Sequence, residues 1–233
     1  MTGTLVLLSG GQDSATALFW ARRAITEGRL TKPLVALSFD YGQTHKVELE
    51  CARELAACAS AQECRMDVTS VMAIGGVASG LMNREIDVSD LSNYDSELPA
   101  SFLPGRNLIM LTLAFTYAAI NDYRDIVAGM CEEDYSGYPD CRSQALRPLE
   151  TACQAGLNRP IRLHLPILNL TKAETWRLAH SLGRTDTIIH DTNTCYRGAR
   201  DAPYAWGYGC DQCAACHVRA KGYKLALELG YFS

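Results

Sequence analysis

The run Leu5-Val6-Leu7-Leu8-Ser9-Gly10-Gly11-Gln12-Asp13-Ser14 constrains the fold most, because an apolar run gives way to two glycines and then to a helical pattern. A strand that passes into a helix through such a loop makes an anion cradle. Paired glycines let backbone N–H groups approach a phosphate that a Cβ would hold away. Ser9 and Ser14 add hydroxyl donors, and the new helix directs its positive end to the same place. Asp13 is acidic within a site for anions, which suits either a Mg²⁺ held between its carboxylate and the phosphates or an anchor for the loop's own amides. The loop matches neither the Walker pattern nor the GxGxxG dinucleotide pattern.

Near the other end, Cys195, Cys210, Cys213 and Cys216 leave 14, 2 and 2 residues between consecutive thiols. Two short spacings in succession bring three sulfurs to one ion, and the distant fourth closes a tetrahedron, the pattern of a structural Zn²⁺ site. Gly207 and Gly209, beside Trp206 and Tyr208, give that loop freedom to turn its sulfurs inward. His217 competes as a ligand, but four thiolates complete the shell and leave no open position for water. The remaining cysteines have no ligand-like spacing.

With 48% apolar residues over 233, the chain can bury one large core carrying a small metal-bound extension, and no apolar run is long and uncharged enough to span a bilayer. We expect residues 1–189 to form the nucleotide-binding α/β unit. Residues 190–233, the four-cysteine loop and a last helix, are expected to pack as part of the same unit. A formal charge of −4 offers no basic surface for a phosphate backbone, so neither a nucleic-acid nor a membrane partner is expected. With no apolar leader before the first strand-like run, we expect the chain in the cytoplasm, where its thiols would stay reduced.

Strand-like runs at residues 4–8, 33–39 and 64–68 alternate with helical patterns at 14–27 and 44–59, the βαβαβ order of a doubly wound parallel sheet covered on both faces. Asp40-Tyr41-Gly42-Gln43 falls at the C-terminal end of the second strand, the edge where such sheets bind ligands. Residues 73–99 have little periodicity and read as a long excursion, a lid or a dimer contact. Pro104-Gly105-Arg106-Asn107 then opens an apolar helix through Ile120, and residues 125–130 and 161–165 read as further strands. Thr171-Lys172-Ala173-Glu174 fits a capping box starting a helix through Ser181, and residues 218–229 form a closing helix. Arg106 and Lys172 are cations at helix N-termini, where the dipole disfavours them; for Arg106 this points to an anion, triphosphate or substrate carboxylate, or to a salt bridge with a local acid, and for Lys172 to a phosphate partner or an ordinary surface lysine.

The first block resembles the PP-loop, SGGxDS, of the ATP pyrophosphatase superfamily, whose fold is adenine nucleotide α-hydrolase-like. Further blocks are Tyr41-Gly42-Gln43-Thr44-His45, Pro104-Gly105-Arg106-Asn107, Asp134-Tyr135-Ser136-Gly137-Tyr138-Pro139-Asp140-Cys141-Arg142 and Cys195-Tyr196 with the terminal cysteines. With these, nearly the whole chain is similar to the 7-cyano-7-deazaguanine synthase family of queuosine precursor biosynthesis. Ala15 stands where that family usually has threonine, and Gly105 where it usually has alanine; neither removes a charged or metal-binding group.

The resemblance implies that 7-carboxy-7-deazaguanine and ammonia become the nitrile through adenylated acid and amide intermediates. ATP, Mg²⁺ and Zn²⁺ are the implied cofactors and a homodimer the implied assembly. ATP would be held by Leu8, Ser9, Gly10, Gly11, Gln12, Asp13, Ser14, Ala15, Thr16, Ala17 and Leu18, and zinc by the four cysteines. Asp13, Arg106, Lys172 and His45 are the candidate catalytic residues, with His45 the nearest candidate for deprotonating ammonium, although a histidine at a helix start is more often structural. Asp134 or Asp140 could accept the two donors of a guanine-like edge, Tyr135 or Tyr138 could stack on the deazapurine, and Arg106 could grip the carboxylate. A PP-loop tRNA sulfurtransferase is the competing reading, but it needs a reactive cysteine pair and a basic tRNA surface. A zinc-bearing binding module would have no use for an intact SGGQDS loop.

Overall fold

The strand-like runs form one parallel sheet. In the computed structural model, which describes residues 1–76, 79–83, 100–132 and 138–232, the strands are β1 (Thr4–Leu7), β2 (Leu34–Asp40), β3 (Gln62–Asp67), β4 (Asp125–Val127) and β5 (Arg162–His164). They pair in the order β3-β2-β1-β4-β5, all in parallel, with Val6 opposite Ala36 on one side and Val127 on the other. Strand order therefore reverses between β1 and β4. That switch point opens a crevice at the C-terminal edge, directly where the Gly10-Gly11 loop leaves β1.

Helices α1 (Gln12–Thr26), α2 (Val47–Cys58) and α3 (Thr69–Gly76) follow the first three strands, while α4 (Arg106–Ile120) precedes β4 and α5 (Ser143–Leu157) separates β4 from β5. The chain ends with α6 (Lys172–Ser181), α7 (Thr185–Asp191), a hairpin of β6 (Pro203–Tyr204) and β7 (Gly207–Tyr208), and α8 (Ala214–Glu228). Alternate strand residues enter different cores. Val6 and Leu8 pack with Leu18, Leu55 and Trp176 on one face, and Leu5 and Leu37 pack with Leu111, Phe115 and Leu146 on the other.

Several boundaries differ from the sequence expectation. α2 begins at Val47 rather than at Thr44, because the Gln43 side chain accepts a bond from Tyr41 N (3.0 Å) and holds the preceding residues in a turn. β3 is not covered on both faces: Gln62, Glu63, Arg65 and Asp67 are exposed, as befits an edge strand kept charged against further pairing. α8 starts at Ala214, four residues before the expected 218, so Cys216 lies in its first turn. The capping box at α6 is present as read, with Thr171 Oγ1 accepting from Glu174 N and the Glu174 carboxylate accepting from Thr171 N. Of the expected excursion, residues 77–78 and 84–99 lie outside the described residues.

Candidate active site

The phosphate-type loop is braced by its own hydroxyls. Ser14 Oγ donates to Gly11 O (3.1 Å) and accepts from Ser9 N (3.2 Å), while Ser9 Oγ accepts from Gly11 N (3.4 Å). Ser14 thus tightens the loop rather than offering its proton outward. Gly10 has φ +89°, and a Cβ there would run into the Glu48 carbonyl oxygen of α2. Gly129, just past β4, lies so close that a Cβ would stand 2.6 Å from Asp13 O. Neither close approach is open to a larger residue.

The loop forms one end of a 610 Å³ cavity at the switch point. Of the residues assigned to nucleotide, Leu8, Ser9, Gly11, Gln12, Asp13 and Ser14 line it. Gly10, Ala15, Thr16, Ala17 and Leu18 do not; the last four are fully buried as α1 packs into the core, and Thr16 Oγ1 bonds back to Gln12 O at 2.9 Å. Gln12 is only 1% exposed, yet neither its Oε1 nor its Nε2 has a partner among the described residues. A buried amide left unsatisfied is costly, so a polar ligand in this cavity fits the vacant bonds.

Asp13 and Lys172 meet across the cavity wall, with Lys172 Nζ 2.9 and 2.8 Å from the two carboxylate oxygens. The cation at the N-terminus of α6 is therefore paired with an acid of the loop, which neither the phosphate partner nor the ordinary surface lysine expected from the sequence included. Gly222 of α8 lets the lysine stem lie flat, since a Cβ there would be 2.6 Å from Lys172 Cβ.

Arg106, at the first position of α4, places its guanidinium 5.8 Å from both the Tyr41 and Tyr138 rings. Tyr138 Oη pairs with Ser101 Oγ (2.6 Å) and with Tyr196 Oη (3.2 Å). Burial, joined by the charge of Glu48, raises the Tyr41 hydroxyl far above its usual range, and burial does the same for Tyr196. Both rings stay neutral. Glu48 completes this wall with a carboxyl pushed up to about 7, burial outweighing the pull of Arg106.

Other expected residues fall elsewhere. Asp140 is buried, and its carboxylate accepts from Asn107 N (3.0 Å) and Asn107 Nδ2 (3.1 Å), so it caps the start of α4 instead of facing a ligand. It is absent from the cavity lining, as is His45, whose ring lies against Gly198. Asp134, Tyr135, Ser136 and Gly137 lie outside the described residues. Glu48, Thr194 and Arg219 were not singled out from the sequence but line the cavity. The available signal for Glu48 was an acid in the first turn of the helix that follows the ligand-binding end of β2.

The four cysteines form a metal-binding cluster, with all sulfurs within 4.8 Å of one another. Tetrahedral Zn–S bonds of ~2.3 Å would place sulfurs ~3.8 Å apart. Cys210 and Cys216 are 4.0 Å apart and Cys213 and Cys216 3.5 Å apart, so the donor set fits such an ion. A Cβ on Gly209 would be 2.6 Å from Cys216 Sγ, which explains the glycine at that corner. His217 points away and bonds to Asp211 O (3.1 Å).

The chain is 45% identical over 232 residues to a 7-cyano-7-deazaguanine synthase of Nitrobacter winogradskyi, covering 94% of this chain and 93% of the relative. A 7-cyano-7-deazaguanine synthase of Chromobacterium violaceum is 42% identical over 219 residues, covering 94% and 88%. Among solved structures, the U34-tRNA thiolase NcsA from Methanococcus maripaludis with its [4Fe-4S] cluster shares the fold, with a TM-score of 0.50 at 11% identity. The match covers 98% of this chain and 65% of that one. The family described as queuosine biosynthesis protein QueC matches residues 3–227. With relatives this similar over almost their entire length and a family match spanning both the glycine loop and the cysteine cluster, the chain belongs to the QueC family.

Proposed function

We propose that the chain is a 7-cyano-7-deazaguanine synthase, a ligase forming C–N bonds that uses ATP to convert 7-carboxy-7-deazaguanine and ammonia to the nitrile. The observation that carries the reading is one cavity lined both by the glycine loop and by an arginine among tyrosines. Nitrile formation removes two oxygens from one carboxyl carbon, and neither leaves unaided. An activated acid and then an activated amide supply the two departures.

Arg106 is suited to hold the substrate carboxylate, since it projects from the helix start toward the cavity, and its tyrosine neighbours offer faces for a flat heterocycle. The unsatisfied Gln12 amide would gain partners from a bound nucleotide. Lys172, already paired with Asp13, would add positive charge where the phosphates depart. A Mg²⁺ between Asp13 and the phosphates would screen the charge that grows on the leaving group. Glu48, rather than His45, is the cavity acid whose titration range suits taking a proton from ammonium. The four cysteines would hold zinc in a structural role, closed to water. A homodimer acting in the cytoplasm, with small molecules as its substrates, completes the reading.

Incubation with the carboxylated deazaguanine, ammonium and Mg-ATP is expected to yield the nitrile by mass spectrometry, together with AMP and pyrophosphate. Thiolated tRNA from a parallel incubation, with no nitrile, would replace this reading with that of a sulfurtransferase.

A further inference from the structure

The segment that leads into Cys195 also grips the glycine loop. Asn193 N donates to Gly10 O at 3.0 Å, and Gln12 N donates to Thr194 Oγ1 at 3.3 Å, so the two residues before a metal ligand hold the loop on both sides of Gly11. Arg219, three residues beyond Cys216 on α8, donates Nη1 to the same Thr194 oxygen at 3.0 Å. Its Nε donates to Trp206 O (2.9 Å) and its Nη2 to Ile188 O (2.7 Å).

The guanidinium is 1% exposed and its three acceptors are neutral; among the described residues no carboxylate lies within ion-pair reach. Burial disfavours its charge, the Asp13 carboxylate supports it from beyond ion-pair distance, and its rigid fork fixes three acceptors at once. One of those acceptors is Thr194. Receiving two donors, the Thr194 hydroxyl is fixed in place, and its own proton remains available in the cavity wall.

We propose that Thr194, locked by Arg219, is a positioning residue that couples the four-cysteine metal site to the nucleotide cradle. Cys195 and Cys216 would be held together by a bound metal, and would then place Thr194 and Arg219, with Thr194 in turn setting the Gln12 amide at the start of α1. The inference rests on the nucleotide reading given above. Because coupling is reciprocal, nucleotide must strengthen metal retention by the factor by which metal strengthens nucleotide binding.

Full-length, metal-loaded protein carrying Thr194→Val or Thr194→Ser tests this by Mg-ATP calorimetry and by metal stripping with a chelator, read with a metal-binding dye. Losing the acceptor in Thr194→Val is expected to weaken Mg-ATP about tenfold, and Thr194→Ser, which keeps the oxygen, to stay within about threefold of the parent. In the parent, saturating Mg-ATP raises the chelator concentration needed to strip half the metal, and in Thr194→Val that shift disappears. Arg219→Lys, which cannot reach Thr194 and Ile188 together, gives the same pattern from the other side. A purely structural role would lower the melting temperature of the variants yet preserve the nucleotide-dependent shift in metal retention, and that result overturns the proposal. So does parent-like Mg-ATP affinity in Thr194→Val. If the parent takes up no Mg-ATP, the nucleotide reading itself fails and the coupling falls with it, an outcome distinct from uptake that ignores Thr194.

Discussion

Glu48 carries its carboxyl at about 7 in the cavity wall, against an ordinary value of 4.5, because burial disfavours the charge more than Arg106 favours it. The folded chain therefore binds this proton more tightly than the unfolded chain does. Its contribution to stability is complete below the unfolded value of 4.5 and is lost as pH rises through the folded value of about 7. Glu48→Gln has no proton to lose. The melting temperature of Glu48→Gln relative to the parent should accordingly climb between about pH 5 and about pH 8, and a difference that stays flat would show that Glu48 titrates normally. Gly129 offers a second test at this scale. A methyl at Gly129 meets backbone on the Asp13 side, where nothing flexible can yield. Gly129→Ala should cost about 1–3 kcal/mol in denaturant unfolding and displace the loop that begins α1.

Among the elements, α4 shows what a residue list read from sequence leaves out. Asp140 has the charge to accept a guanine-like edge, and only its contact with Asn107, distant in sequence, reveals that it satisfies the first turn of α4. Arg106 sits one residue earlier, so the cap also aims the guanidinium. Asp140→Ala should cost about 1–2 kcal/mol of stability and weaken deazaguanine binding together. Loss of binding with unchanged thermal stability would restore a direct contact with the base. Elements with strong periodicity and punctuated ends were legible: β1, α1, and α6 with its capping box. α5 was not, because Pro148 lies within it and breaks the pattern that marks a helix interior. The start of α8 is hard to see because its first turn holds two alanines, the ligand Cys216 and His217, which mark no amphipathic face. In the site, the glycine loop and the cysteines announced themselves by composition. Glu48, Thr194 and Arg219 did not, since an acid, a hydroxyl and an arginine acquire meaning only through what the fold brings beside them.

At the scale of the whole molecule, the cysteine cluster is continuous with the main core. Cys195, Cys213 and Cys216 belong to the same buried group as Val6, Leu18 and Trp176, and Trp176 packs edge-on against Tyr223 of α8 at 5.1 Å. An ion held here would therefore tie the last helix to the first strand's side of the sheet. Without it, four thiols converge within 4.8 Å with no cation to favour their ionised forms, and the segments carrying them lose a common anchor. Stripping the metal should lower the melting temperature by more than about 5 °C and move the entire unfolding transition, because no separate core exists for the C-terminal segment to melt alone. Calorimetry of the stripped and reloaded protein decides this. A second, earlier transition with the main one unmoved would mean that the cysteine segment unfolds independently of the sheet, despite the core they share.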